Sequence, residues 1–319
     1  MIYYILKRVF IGIMTALGLV FLVFLLMKLV PGDVISQLID QSAGHNQSKI
    51  DELRSEFGLD LPWYNQFFNW LYSIIQGNLG ISWRSRVPIQ EILFSRLAVT
   101  LELAIISTLV SSIIIGIPCG IIAAFYSNKW QDIFLRIMSL ASLSVPVFWI
   151  GSMFILIFSE YFNWSPPLNW VSPFKNLVDN LKIMALPSLC LGLAGAAPLV
   201  RMTRNSILEI MKLNYIRTSR SLGVSEANLL IKHALPNASI PILTSAGLQF
   251  GFLLGGVVVI EEVFSLPGIG RLLIQSISQR DYPVVQISVL SIGLLLITAN
   301  IVVDVIYAYL DPRIKYGDN

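Results

Sequence analysis

The stretch YIRTSRSLGVSEANLLIKHALPNA, residues 215–238, is polar and basic, yet it lies between segments that are almost wholly apolar. Residues 201–236 together hold six basic and two acidic side chains, a net of +4. Apolar and polar residues mix at helical spacing up to Leu222, and Gly223 suits the left-handed conformation that ends a helix. Ser225 is placed to N-cap a second helix, with Glu226 in its first turn, where a carboxylate meets the positive end of the helix dipole. Pro236 is expected to push Leu235 out of helical geometry and to stop this second helix before the next apolar segment. The stretch therefore predicts two short helices joined by a tight elbow. A solvated loop is the plainer reading of a charged segment. A cap pair followed by a proline stop argues instead for a rigid, protruding element made to be held by another protein.

The surroundings of the elbow set the class of the chain. Of 319 residues, 55% are hydrophobic and 13% charged, with a mean hydropathy of +0.72. A soluble domain carries about 25% charged residues, so part of this apolar surface must face lipid. The net charge of +3 is small and its basic residues are scattered, which excludes a nucleic-acid partner. Cys119 and Cys190 fall inside apolar runs without a CxxC, as small core residues do.

A helix needs about 20 apolar residues to cross the hydrocarbon layer. Six runs qualify: Val9–Met27, ended by Lys28 and the turn Pro31-Gly32; 103–126; 137–159; the shorter 183–200, with Pro187 and Pro198; 237–260; and 282–303, continuing past Asp304 to Leu310. The reading is an all-α membrane protein of six transmembrane helices, because lipid offers a spanning backbone no hydrogen-bond partners. Lys7-Arg8 before the first run resembles a secretory signal. The run is longer than a signal core and no cleavage pattern follows, so a retained first helix is expected. The domain organisation is a first helix (1–30), an extracytoplasmic helical segment (31–96), a five-helix core (97–310) with the elbow at 201–236, and a tail (311–319). With the N-terminus inside, the internal segments hold twelve Lys and Arg residues and the two short external loops four. That bias places both termini and the elbow in the cytoplasm.

In the segment 31–96, Asp51–Gly58 has helix composition closed by a glycine. Beyond it, PWYNQFFNWLYSII sets Trp63, Tyr64, Phe67, Phe68, Trp70, Leu71, Ile74 and Ile75 at helical spacing. Such a stripe can lie in the membrane interface or pack on the spans, and packing is the reading taken. Ionisable residues within spans are functional candidates, and Glu102 and Asp304 are the clear cases. Glu102 stands at the external end of the second span. Asp304, in the sixth, would need a buried partner to relay protons, and a structural hydrogen bond is expected instead. Pro118, Pro146, Pro187 and Pro198 are expected to kink their spans. No Gly-Lys pair occurs anywhere, so no phosphate loop is present. His45 and His233 are dispersed and form no catalytic constellation.

The spacing from Arg217-Thr218-Ser219 through Gly223 to Leu235-Pro236 resembles the EAA loop of permease subunits of bacterial ABC importers, in the oligopeptide, dipeptide and nickel branch. The general loop opens Glu-Ala-Ala; here Arg217-Thr218-Ser219 stand instead, close to the Arg-Thr-Ala of that branch. GLQFGFLLGGVVVIEEVFSLPGIGRLL (247–273), RDYPVVQ (280–286), GNLGIS (77–82), TLEL (100–103) and DPRIKY (311–316) look like further signatures in the right order. The resemblance implies a type I ABC importer permease (MetI-like) fold in a bacterial inner membrane. Its partners would be a paralogous permease, two cytoplasmic ATPases that bind ATP and Mg, and an extracytoplasmic substrate-binding protein. The chain itself would be no enzyme and would hold no cofactor. Arg217, Thr218, Ser219, Gly223, Ser225, Glu226, Leu235 and Pro236 would form the coupling element against the ATPase. Peptides are the first expected cargo. Alternatives are a nickel or metal-chelate importer of the same kind and, from a different class, a secondary transporter driven by an ion gradient.

Overall fold

The computed structural model describes residues 2–29, 51–52, 54–55, 57–166 and 169–310, with side chains at 2–5 and 306–310 left aside. Pro31-Gly32, His45 and the DPRIKY tail lie outside the described residues, as does part of the 31–96 segment. The elements in chain order are α1 (Ile2–Leu29), α2 (Trp63–Ile75), α3 (Ile89–Phe125), α4 (Trp130–Ser144), α5 (Val147–Phe162), α6 (Leu177–Ile210), α7 (Asn214–Ser221), α8 (Glu226–Val263), α9 (Ile269–Ser278) and α10 (Tyr282–Leu310). Five of them, α1, α3, α6, α8 and α10, are each long and apolar enough to cross a membrane alone.

The expected third span is not one helix. Pro146 ends α4 and starts α5, and the two are bent by 101° across the break. Val145, the residue before the proline, takes extended geometry (ψ 126°), as the clash with the pyrrolidine ring requires. At the other prolines the helix continues. Pro187 and Pro198 sit inside α6, which continues through both. Pro118 and Pro236 each follow a π-helical segment by two residues, Val110–Gly116 in α3 and Leu229–Ala234 in α8. A wider π-turn moves the preceding carbonyls away from the proline ring, so the helix carries on where an ideal α-turn would clash. Leu235 accordingly keeps helical angles (φ −60°, ψ −44°), contrary to the stop expected there.

The central helix is α6. Of its most apolar stretch 72% is buried within the chain, against 22% for α1. It packs on α3, α4, α5 and α8. Close approach is possible because small residues face large ones: a Cβ on Gly192 would meet Val110 at 2.6 Å, and one on Gly120 would meet Thr203 at 2.4 Å. α2 lies on α1, with Phe67 edge-on to Phe21 and Phe24, and Trp70 stacked on Phe24 at 6.2 Å. Half the aromatic stripe therefore packs on a span, while Trp63, Tyr64, Phe68, Tyr72 and Ile75 stay exposed.

At the end of the bundle away from the elbow, a fully buried carboxylate knits three elements together. Glu261, near the end of α8, accepts from the Thr100 hydroxyl of α3 at 2.6 Å and from the Arg271 N–H of α9 at 3.1 Å. The Thr100 hydroxyl in turn accepts from the Ile269 N–H at 2.9 Å. The carboxylate thus satisfies the otherwise orphaned donors at the start of α9. Gly268 is required beside it, since a Cβ there would sit 2.0 Å from Glu261 Oε1. A Gly268→Ala variant should lose about 1–3 kcal/mol through forced displacement of that carboxylate, seen as a lower Tm of the detergent-purified protein. Gly255→Ala, whose Cβ would meet nothing within 4 Å, should leave Tm unchanged or raised. Equal effects from the two would count against this seat.

Candidate functional site

The elbow is built as a short amphipathic helix, a left-handed turn and the start of a long helix. α7 buries Ile216 completely and turns its polar residues outward. Thr218, Ser219 and Ser221 donate to carbonyls four residues back (Asn214, Tyr215 and Arg217), which satisfies their hydroxyls along the helix itself. Gly223 follows at φ +86°, and a Cβ there would meet nothing within 4 Å. The constraint is therefore the backbone conformation and not crowding. Leu222 stands at the tip, 80% exposed. Across the turn the Arg220 guanidinium grips the Glu226 carboxylate with both Nε and Nη2. Ser225 occupies the cap position with extended geometry (ψ 147°), but its side chain makes no capping hydrogen bond. Glu226 is held by Arg220 in its place.

The second helix is not the short one expected from the sequence. It is the first part of α8, so the elbow is joined to a span without a break. Leu230, Ala234, Ala238 and Ile242 of α8 form a buried apolar cluster with Ile207 of α6 and Ala124 of α3. Asn237 ties the two arms of the elbow together, donating to the His233 carbonyl at 2.7 Å and to the Tyr215 hydroxyl at 3.3 Å.

A second buried carboxylate anchors this end. Asp132, in the first turn of α4, is fully buried and accepts two hydrogen bonds from Arg204 of α6, each at 2.7 Å. Asp132 also accepts from the Asn128 N–H at 2.9 Å and lies 3.2 Å from Arg136. Arg204 is six residues before the end of α6 and so fixes the strand of chain that leads into α7.

Of the sequence-derived candidates, Arg217, Thr218, Ser219, Gly223, Ser225 and Glu226 gather on the elbow. All are exposed except the half-buried Ser219. Leu235 is half-buried and Pro236 exposed on the first turns of α8. Glu102 and Asp304 lie elsewhere and apart. Glu102 accepts from the Trp170 indole at 3.0 Å. Asp304 pairs with Arg8 of α1 at 3.2 Å, and both side chains are partly exposed. Nor are these two the chief ionisable residues of the spans, because Asp132 and Glu261 are buried more deeply. The tip residue Leu222 was legible as the last apolar position before Gly223.

Among the described residues the arrangement has the shape of a transport subunit: a bundle of spans around α6 with a polar projection at the elbow. In fold it is similar to the solved membrane chain of an inward-facing MetNI methionine ABC transporter (TM-score 0.56, 17% identity, 70% of this chain and 97% of that one). Residues 116–316 match the family of binding-protein-dependent transport system inner membrane components, and residues 1–104 match the N-terminal part of such components. The chain belongs to that family and is a multi-pass permease subunit of an ABC importer. It is 41% identical to the glutathione transport system permease protein GsiC of Escherichia coli O6:H1, over 99% of this chain and all of that one. It is 40% identical, with the same coverage, to GsiC of E. coli K12 and of Shigella dysenteriae. Permeases of this family work with a substrate-binding protein and with separate ATPase subunits, on which ATP hydrolysis lies.

Breaking a buried ion pair leaves an uncompensated charge, at a cost of about 3–5 kcal/mol. Asp132→Ala should therefore sharply reduce folded protein recovered in detergent, and Asp132→Ala with Arg204→Leu should recover part of it. If Asp132→Ala costs no more than Arg220→Ala at the exposed Arg220–Glu226 pair, the clamp has no such role.

Proposed function

We propose that this chain is one of two pore-forming subunits of an importer for peptides or peptide-like compounds, paired with a paralogous permease. Both termini and the elbow face the cytoplasm, and the elbow docks on an ABC ATPase that binds ATP and Mg, while this chain binds no cofactor. The observation that carries the reading is the elbow itself. A rigid turn presents an exposed leucine, Leu222, between the charged residues Arg217, Arg220 and Glu226, and it is continuous with a span. An isolated exposed apolar side chain held on a stiff support is suited to fill a pocket on a partner.

Nucleotide-driven closure of the two ATPases would move the paired elbows. α8 would carry that motion directly. α6 would follow through the apolar cluster around Ile207 and Ala124, and α4 through the Asp132–Arg204 clamp. The spans then open to the other side beneath the docked binding protein, and hydrolysis resets them. The excess of Lys and Arg in the elbow-side segments supports the orientation. Identity of about two-fifths to glutathione permeases over the full length supports a peptide-like cargo.

Replacing Gly223 by Trp strains the turn, because φ +86° is costly for a side-chain-bearing residue, and enlarges the docking surface. In the reconstituted complex, uptake of labelled glutathione or dipeptide should fall about tenfold or more while ATP hydrolysis persists. Leu222→Asp should reduce co-purification of the ATPase. Wild-type coupling in the Gly223→Trp complex would remove the docking role of the elbow.

A further inference from the structure

We infer that a cavity at the end of the bundle away from the elbow binds a carboxylate, with Arg96 as the residue that holds it. The cavity has a volume of about 470 Å³ and lies between the first turns of α3, the turn at residues 82–87 and α9. Arg96 enters it from α3, one helical turn before Thr100. Gln275 and Gln279 enter from α9, four residues apart and so on one face of that helix. Arg84 and Ser85 line it from the turn.

Arg96 is half-buried, and among the described residues its guanidinium makes no hydrogen bond and no ion pair. The charges acting on it are the like charge of Arg271 and the carboxylate of Glu261. Glu261 is already spoken for by Thr100 and the start of α9. The acid on the cavity wall, Asp281, accepts from the Ser82 hydroxyl and, at 3.1 Å, from the Trp83 N–H. A guanidinium carries five donors in a planar fork. Withdrawn in part from water, beside a second guanidinium and with no acceptor, it is suited to take an external carboxylate through two parallel hydrogen bonds. The volume falls in the range of small-molecule sites, so the group bound is part of something larger than a lone carboxylate. Gln275 and Gln279 offer amide donors and acceptors to the rest of it.

Two sources can bring a carboxylate here: a free peptide-like substrate, or an acidic side chain of the binding protein. Both rest on the transport reading above, whereas the anion site itself does not. The test uses the purified complex in lipid nanodiscs, as wild type, Arg96→Gln and Arg96→Lys, each checked for unchanged elution and Tm. Succinate should slow phenylglyoxal labelling of Arg96, read by mass spectrometry, without slowing labelling of the exposed Arg217. Glutathione, glutathione with both carboxyls amidated, and the system's binding protein are then measured for affinity. If the substrate supplies the carboxylate, Arg96→Gln weakens glutathione binding about tenfold, the diamide binds wild type no better than the variant, and Arg96→Lys loses less. If the binding protein supplies it, its affinity falls by a similar factor and glutathione is indifferent to the change. Labelling unaffected by succinate overturns the site. Protection with neither affinity altered overturns its part in delivery. Failure of the wild-type complex to import glutathione or dipeptide would instead strike the cargo reading alone.

Discussion

A charge buried away from water must be met by partners within the protein, and this structure depends on how two carboxylates meet that requirement. Asp132 and Glu261 stand at opposite ends of the bundle, and both are fully buried. Each accepts a backbone N–H, from the turn at Asn128 or from the first turn of α9, and a side-chain donor from a neighbouring long helix. Neither can be left half-satisfied without a cost comparable to much of the stability of a fold. Helices that lipid alone would leave free to slide are thereby fixed in register at both ends. Between these points the contacts are apolar and close, with glycine and other small residues of α6 admitting the side chains of α3 and α8.

This division gives the two ends different mechanical characters. At the elbow end, the Asp132–Arg204 pair joins α4 to α6, and the cluster around Ile207 joins α6 to α3 and α8. A push on the elbow therefore reaches four helices through short, stiff links, and it reaches α8 through continuous backbone. At the other end, Glu261 makes α3, α8 and α9 one body, so motion there is of the group and not of its members.

Much of this was legible in the sequence. The length of the apolar runs gave the spans, and Gly223 marked the elbow because a left-handed turn leaves few residue choices. The faults have physical causes. Pro236 reads as a helix stop by local rules, but the π-turn before it depends on how α8 packs, and nothing in a proline records that. Asp132 reads as a loop charge near Lys129, since its partner Arg204 lies 72 residues away. Glu261 sits in the pair Glu261-Glu262, which looks like an exposed helix end; only the fold reveals that the first faces Thr100, 161 residues distant, and the second does not. Asp304 likewise pairs with a residue far away in the sequence. Its arginine is on the first helix of the chain. Residue type reported the presence of these charges, and only long-range packing could report their use.

The two π segments have a further meaning. Each inserts one residue beyond the α-helical count, and one residue corresponds to about 100° of rotation around the axis. The parts of α3 before and after Val110–Gly116 therefore aim different stripes than a straight helix would. Before it, Thr100 addresses α8 and α9; after it, Gly120 addresses Thr203 on α6. In α8 the same device separates the part that belongs to the elbow from the part that belongs to the span. A repeat of 3.6 residues read straight through either point misplaces the side chains beyond it by about 100°, and removing one residue there would restore the count while turning every side chain beyond it.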